Sequence, residues 1–224
     1  PPRSTLFPYT TLFRSYLNEC IINDLIQARQ TGGFDLVYLF TDNLDSEGQG
    51  STHETMGGPV DVKVTYSRTI LPEEEIPSTN IKRYYGEITR KLIDLAIESG
   101  HMSRFRKDTR LSPMFIDMYS TWISGSVSGE LADAVLVSGD QDDINGFVTL
   151  KSNSPVCTIG LIAVDNLSRG RGIGGELLKA AVNWALNKDC QEIRVATQME
   201  NLGACRLYEK NGYTRISTKY IFHF

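Results

Sequence analysis

Cysteine is scarce and scattered in this chain. Cys20, Cys157, Cys190 and Cys205 form no C-x-x-C pair. That argues against a zinc site or a disulfide framework and fits a reducing compartment. No metal is expected. No apolar run approaches the roughly 20 residues that span a bilayer, so no membrane insertion is expected. A basic excess is missing too: 23 Lys and Arg face 27 Asp and Glu, for a net charge of −4. Basic residues cluster only briefly, at Arg104–Arg110 and Arg169–Arg171, so a nucleic-acid partner is not expected. There is no internal repeat and no low-complexity tract. What remains is an ordinary globular composition in 224 residues, enough for one large domain or two small ones.

Pro1–Ser15 has neither a helical nor a strand period, and it lacks the continuous apolar core of a signal peptide. It resembles a translated sequencing adaptor joined to a coding sequence. It is set aside from the fold, and the natural start before Tyr16 is left unknown. Residues 16–78 read as a small, partial α/β domain. Tyr16–Thr31 has Leu17, Ile21, Leu25 and Ala28 at helix spacing, with Gly32-Gly33 as a stop. Phe34–Phe40 reads as a buried strand, Thr41–Pro59 as a loop, and Val60–Arg68 as an alternating, half-buried strand. Pro72, three glutamates and Pro77 mark a boundary within Leu71–Asn80.

The second domain, residues 79–224, reads as α/β with a mixed sheet. Helices are expected at Glu87–Glu98 and from Ser112-Pro113 onward, since proline suits a first turn. Strands follow at Ala134–Val137, Gly146–Lys151 and Val156–Val164. Then come a helix over Gly174–Asn187, a strand over Ile193–Thr197, a short helix over Asn201–Lys210 and a last strand over Tyr213–Phe224. Meander strands come first, and the strand-helix-strand unit then requires a parallel pair with a right-handed crossover.

The densest signal lies between two of these elements. Ser168–Gly175 reads SRGRGIGG, between a buried strand and a helix. Glycines let backbone N–H groups converge on one point and let a ligand approach closely. The helix N-terminus adds partial positive charge, and Arg169 and Arg171 add full charges. Together these suit a pyrophosphate. Gly170-x-Gly172-x-x-Gly175 also matches a dinucleotide fingerprint. However, Glu192–Gln198 ends without an acidic residue for a ribose, and too little chain follows for that fold. No Gly-Lys-Ser/Thr is present for a Walker loop. The bland alternative is a tight turn with solvated arginines.

Arg169-x-x-Gly172-x-Gly174 resembles the acyl-CoA pyrophosphate loop of the Gcn5-related N-acetyltransferases (GNAT). The resemblance extends through Ile-Gly-Leu-Ile-Ala-Val before it, then Asn201, then Leu207-Tyr208-Glu209-Lys210-Asn211-Gly212-Tyr213. It implies the GNAT fold and acetyl-CoA as co-substrate. The implied CoA-binding residues are Ile162, Ala163, Val164, Arg169, Gly170, Arg171, Gly172, Ile173, Gly174, Gly175, Asn201 and Arg206. Where some relatives carry arginine before the tyrosine, this chain has Leu207, with Arg206 the nearest base. Asn201 would bind the pantetheine arm, with a helix N-cap as its structural alternative. Tyr208 would protonate the departing sulfur. The two lie seven positions apart, close to two turns or roughly 10 Å along one helix face. Chemistry agrees with these roles: a phenol can act as general acid. A backbone N–H of a splayed Gly160–Val164 strand can hold the oxyanion, and a ternary complex needs only proximity.

The acceptor is read from fewer residues. Ile193–Gln198 with Met199-Glu200-Asn201 is similar to a dTDP-fucosamine acetyltransferase-like branch that acetylates nucleotide-linked amino sugars. Ser103-Arg104-Phe105 after His101 resembles its substrate-side loop. That resemblance implies Ser103, Arg104, Tyr119 and Gln198 on the acceptor side, a nucleotide-sugar partner, and a bacterial, cytoplasmic enzyme of surface polysaccharide synthesis. Arginine suits a sugar diphosphate. Arg104–Arg110 also reads as a solvated basic turn, Trp122 as core, and His101 as a capping or surface residue. A protein N-terminus, lysine or small amine stays open as acceptor, as does a non-catalytic acyl-CoA sensor. The oligomeric state is open as well, a homodimer included.

Overall fold

Apolar residues alternate in Val156–Val164, and the strand they form buries Cys157, Ile159, Leu161 and Ala163. The same rule, period two for strands and 3.6 for helices, accounts for most elements around it. The computed structural model describes residues 10–14, 24, 27, 30–32, 36–42, 58–73, 77, 79–140 and 143–224. The chain forms two compact units, Pro1–Val64 with Ser217–Phe224, and Thr65–Ile216.

In the first unit, β1 (Thr10–Arg14) pairs in parallel with β2 (Leu36–Thr41), with Thr10 opposite Leu36 and Arg14 opposite Phe40. A strand here corrects the expectation that Pro1–Ser15 carries none. Thr-Thr-Leu-Phe is rich in β-branched and aromatic residues, and β2 offers it an edge. On its other side β2 pairs antiparallel with the end of β9 (Thr214–His223), from Tyr38 opposite His223 to Thr41 opposite Tyr220. Of the expected Tyr16–Thr31 helix, the described residues Asp24, Gln27, Gln30 and Thr31 are helical. The rest of it, and most of the Thr41–Pro59 loop, lies outside the described residues.

The second unit holds the end of β3 (Asp61–Thr69) and the strands β4 (Ile81–Arg83), β5 (Ala134–Asp140), β6 (Asp143–Asn153), β7 (Val156–Val164) and β8 (Glu192–Gln198), in the order β3-β8-β7-β6-β5-β4. β4 through β7 are antiparallel, and β7 and β8 are parallel. The mixed α/β sheet is therefore as expected. β4 was not expected, because three residues are too few to show alternation. The division into units falls within β3, and the segment Leu71–Asn80, expected as a boundary, belongs to the second unit. Ser67 and Ile70 then bond within the second unit, to Thr214 and Gln191.

Among the described residues, five α-helices complete this unit. These are α1 (Arg90–Ser99), the short α2 (Arg104–Lys107), α3 (Phe115–Val127), α4 (Ile173–Leu186) and α5 (Leu202–Lys210). Thr89 caps α1, its hydroxyl accepting from the Leu92 N–H. Leu92, Leu95 and Ala96 are the buried stripe. Ser112-Pro113 form a 3-10 turn that leads into α3. α1 and α3 pack on each other and on the β5–β7 region, while α4 packs along β5 to β8 through Leu177, Leu178, Ala181 and Ala185.

Candidate active site

β7 and β8 are paired from Val156 opposite Glu192 to Ile159 opposite Val195. Both strands then continue, to Val164 and Gln198, without pairing to each other. The parallel pair thus opens like a V. Along its β7 arm run Ile162, Ala163 and Val164, three of the residues expected to meet the cofactor. The backbone groups that would have faced β8 have no strand to satisfy them, so this arm can accept an extended ligand by main-chain hydrogen bonds.

The glycine loop begins where β7 ends. Asp165 opens a 3-10 turn, its carboxylate accepting from the Leu167 N–H at 2.9 Å and pairing with Lys91. The Lys91 ammonium, and then the Leu167 N–H, hold its carboxyl below the usual carboxylate range. Gly170 and Gly172 then take φ of 77° and 84°, a left-handed conformation that side-chain-bearing residues rarely adopt. Gly172 is the N-cap of α4 and supplies no side chain. The N–H groups of Ile173, Gly174 and Gly175 have no acceptor within the helix and lie at its positive end. A phosphate oxygen suits that donor set.

The two loop arginines differ. Arg169 donates to the Val164 carbonyl at 3.2 Å and to Glu98 of α1 at 3.1 Å. Arg171 is exposed and makes no ion pair among the described residues. The arginine nearer β7 is therefore committed to the fold, and the farther one is available to a ligand.

α5 lies beside this loop. A methyl group on Gly174 would come within 3.1 Å of Leu207, and one on Gly175 within 3.4 Å of the Asn211 carboxamide. The first turn of α4 thus abuts the last turn of α5. Leu207 occupies the approach to α4, while Arg206, expected at the cofactor, is exposed. Asn201 is the N-cap, its carboxamide oxygen accepting from the Ala204 N–H at 3.2 Å. It stands just outside the helix, with its NH2 group left over for a ligand. Both roles considered from sequence can thus coexist.

Tyr208 is 3% exposed, and its hydroxyl makes no hydrogen bond among the described residues. Its ring lies between Tyr66 and Tyr213, at centroid distances of 5.5 and 6.0 Å. Burial, and then Cys205, push its pKa above the usual phenol value. At neutral pH it therefore holds its proton, as a general acid must. Tyr66, read from sequence only as part of an alternating strand, donates to Glu209 at 2.7 Å. No local signal pointed to it, because its partners lie far along the chain.

The expected acceptor-side residues lie on or beside α2, β8 and α3. Ser103 is 3% exposed, with a hydroxyl that has no protein partner. Arg104 stacks over Phe105 at 4.2 Å. Lys107 pairs with Glu200, which ties α2 to the chain following β8. Gln198 is half-buried at the end of β8, its carbonyl accepting from the Asn201 N–H at 3.0 Å. These lie around one end of β8. Tyr119, on α3, is 5% exposed and packs on Phe115 at 4.9 Å. Its ring lies over Gly100, where a methyl would fall 2.1 Å from it, and the Gly100 carbonyl accepts from the Ser103 N–H at 2.9 Å. Trp122, expected in the core, is half-buried, with its indole beside Gly160. Among the described residues no cluster of His, Cys, Asp and Glu could hold a metal. No described helix is long and apolar enough to cross a membrane.

The model of the Acetyltransferase (GNAT) family matches residues 92–213. The chain belongs to the GNAT family. The dTDP-fucosamine acetyltransferase of Escherichia coli O6:H1 is 35% identical over 131 residues, 58% of this chain and 56% of that protein. The chain thus spans little more than half the length of that relative. A streptothricin acetyltransferase of Escherichia coli is 29% identical over 65% of this chain and 79% of its own. A GCN5-related N-acetyltransferase from Sphaerobacter thermophilus superposes with a TM-score of 0.61 at 16% identity, over 96% of this chain and 73% of that one. The GNAT fold inferred from the loop and the Tyr208 segment is the fold observed.

Proposed function

We propose that this GNAT protein is an acetyl-CoA-dependent N-acetyltransferase acting on the amino group of a dTDP-4-amino-4,6-dideoxy sugar, for surface polysaccharide synthesis. The observation that carries the acyl-transfer part is the parting of β7 from β8 beside a helix bearing a buried, protonated Tyr208. Acetyl-CoA would supply the acetyl group as a thioester. The N–H groups at the start of α4, with Arg171, would hold its pyrophosphate. The Asn201 NH2 group and the open β7 backbone would hold the pantetheine arm. Tyr208 would give its proton to the leaving sulfur, and a β7 N–H would hold the developing oxyanion. Direct attack in a ternary complex requires no covalent enzyme intermediate.

The acceptor rests on the 35% identity to a dTDP-fucosamine acetyltransferase and on Ser103, Arg104 and Gln198 around one end of β8. A second reading keeps the co-substrate and makes the acceptor a small amine, which the similarity to a streptothricin acetyltransferase favours. A thiol-release screen with acetyl-CoA separates the readings. Nucleotide-linked amino sugars, small amines and peptides would be offered in parallel. Release with the amino sugars alone is the expected result. Release only with amines or peptides would replace the acceptor. Binding of acetyl-CoA without release on any of them would point to a sensor.

A further inference from the structure

The β6–β7 ladder carries an irregularity at the point where β7 leaves β8. Up to Leu150 opposite Ile159 it follows one register, and from Val148 opposite Ile162 it follows another. Thr149 therefore faces both Gly160 and Leu161, which is a β-bulge with its extra residue on β7. Thr149 is 1% exposed, and its hydroxyl accepts the Leu161 N–H at 2.8 Å. Gly160 leaves room for it, since a methyl there would stand 2.9 Å from that oxygen and 3.7 Å from the Trp122 indole.

The extra residue inverts which N–H groups of β7 face outward. Below the bulge, the Leu150 carbonyl accepts from Asp133, away from β7. Lys151 and Asn153 therefore bond to Thr158 and Val156. Continued without a bulge, that alternation would aim the Ile162 and Val164 N–H groups at β6. Above the bulge, Leu161 bonds to Thr149 and Asp165 to the Asn145 carbonyl at 2.8 Å. Alternation then aims Ala163 at β6 and turns Ile162 and Val164 toward the open V. Ala163, expected at the cofactor with its neighbours, offers no donor there.

We infer that Thr149 is a positioning residue for acyl transfer: its hydroxyl holds the bulge that points the Ile162 and Val164 N–H groups into the cleft. This rests on the acetyl-CoA reading above. Amide exchange and chemical shifts of the 15N-labelled protein test it, with acetyl-CoA as the probe. In the wild type, acetyl-CoA is expected to shift and protect the Ile162 and Val164 amides, while Leu161 and Ala163 are protected already. Thr149→Val removes the acceptor at nearly constant volume. It should speed Leu161 exchange in the free protein and weaken acetyl-CoA binding, each about tenfold. Thr149→Ser should keep both within about threefold. Unchanged Leu161 exchange and affinity in Thr149→Val would overturn the inference, as would a wild-type response at Leu161 and Ala163 instead. If Thr149→Val does not fold, the wild-type pattern and the serine variant decide. Should acetyl-CoA leave the Arg169–Gly175 amides unmoved as well, the acetyl-CoA reading fails. Leu161 exchange in the free protein still judges the role of the hydroxyl.

Discussion

The Tyr66 phenol donates to the Glu209 carboxylate at 2.7 Å across 143 positions of sequence, and its ring lies 5.5 Å from that of Tyr208. A residue of β3 thus supports the helix that carries the candidate acid. Tyr66→Phe keeps the ring and loses the donor. Glu209 is exposed and can turn to water, so the cost should be about 1 kcal/mol. Tyr66→Ala also removes the aromatic packing and should cost about 3–5 kcal/mol. Urea unfolding of the three proteins checks the ranking. Equal stabilities would mean that β3 does not anchor α5.

Tyr208→Phe removes one oxygen from a buried site that offers it no hydrogen-bond partner among the described residues. Folding should be nearly unaffected and acetyl-CoA affinity should stay within about twofold. Turnover should fall by about 10²-fold or more, the scale of general acid catalysis. Thiol release measured beside isothermal binding separates the two effects. Full turnover in the variant would remove Tyr208 from the chemistry.

Much of this site was legible because its parts are local. The glycine loop, the Asn201 cap and the Tyr208 helix each occupy one short segment, and residue type and spacing carry their geometry directly. Val156–Val164 was even bounded correctly. Long-range features were not legible. Nothing near Tyr66 announces Glu209, and nothing near Thr149 announces a bulge in the neighbouring strand. Nor does anything near Tyr119 announce the slot that Gly100 opens for its ring. β4 escaped because Ile81–Arg83 is too short for periodicity to register.

Arg169 and Arg171 look equivalent in sequence but not in space. Arg169 is held by Glu98 and the Val164 carbonyl, whereas Arg171 has no such partner among the described residues. Arg171→Ala should raise the KM for acetyl-CoA by about tenfold, one charge-assisted contact, with little change in Tm. Its effect should shrink at high salt, because an exposed charge is screened. Glu98→Gln frees Arg169 and should alter stability by less than about 1 kcal/mol, as for other exposed pairs. Steady-state kinetics at two ionic strengths decide. A larger KM effect from Arg169→Ala than from Arg171→Ala, without loss of Tm, would reverse the assignment.

Alkaline titration tests the burial of Tyr208 apart from any activity. Its pKa lies above the usual phenol value because burial disfavours the phenolate. In the unfolded chain the same group ionises near pH 10. Between those values the native state keeps a proton that the unfolded state has lost. Stability is therefore full below about pH 10 and falls as pH rises further. The contribution of this one group is about 1.4 kcal/mol per pH unit in that window. Tyr208→Phe cannot make it. Urea unfolding from about pH 9 to pH 11 should thus show a steeper decline for the wild type than for the variant, so that two proteins of similar stability near pH 9 draw apart as pH rises. Parallel declines would mean that Tyr208 titrates as an ordinary exposed phenol. In that case a supply of protons from Tyr208 to a leaving thiolate would be no better insulated from bulk pH than that of any surface tyrosine.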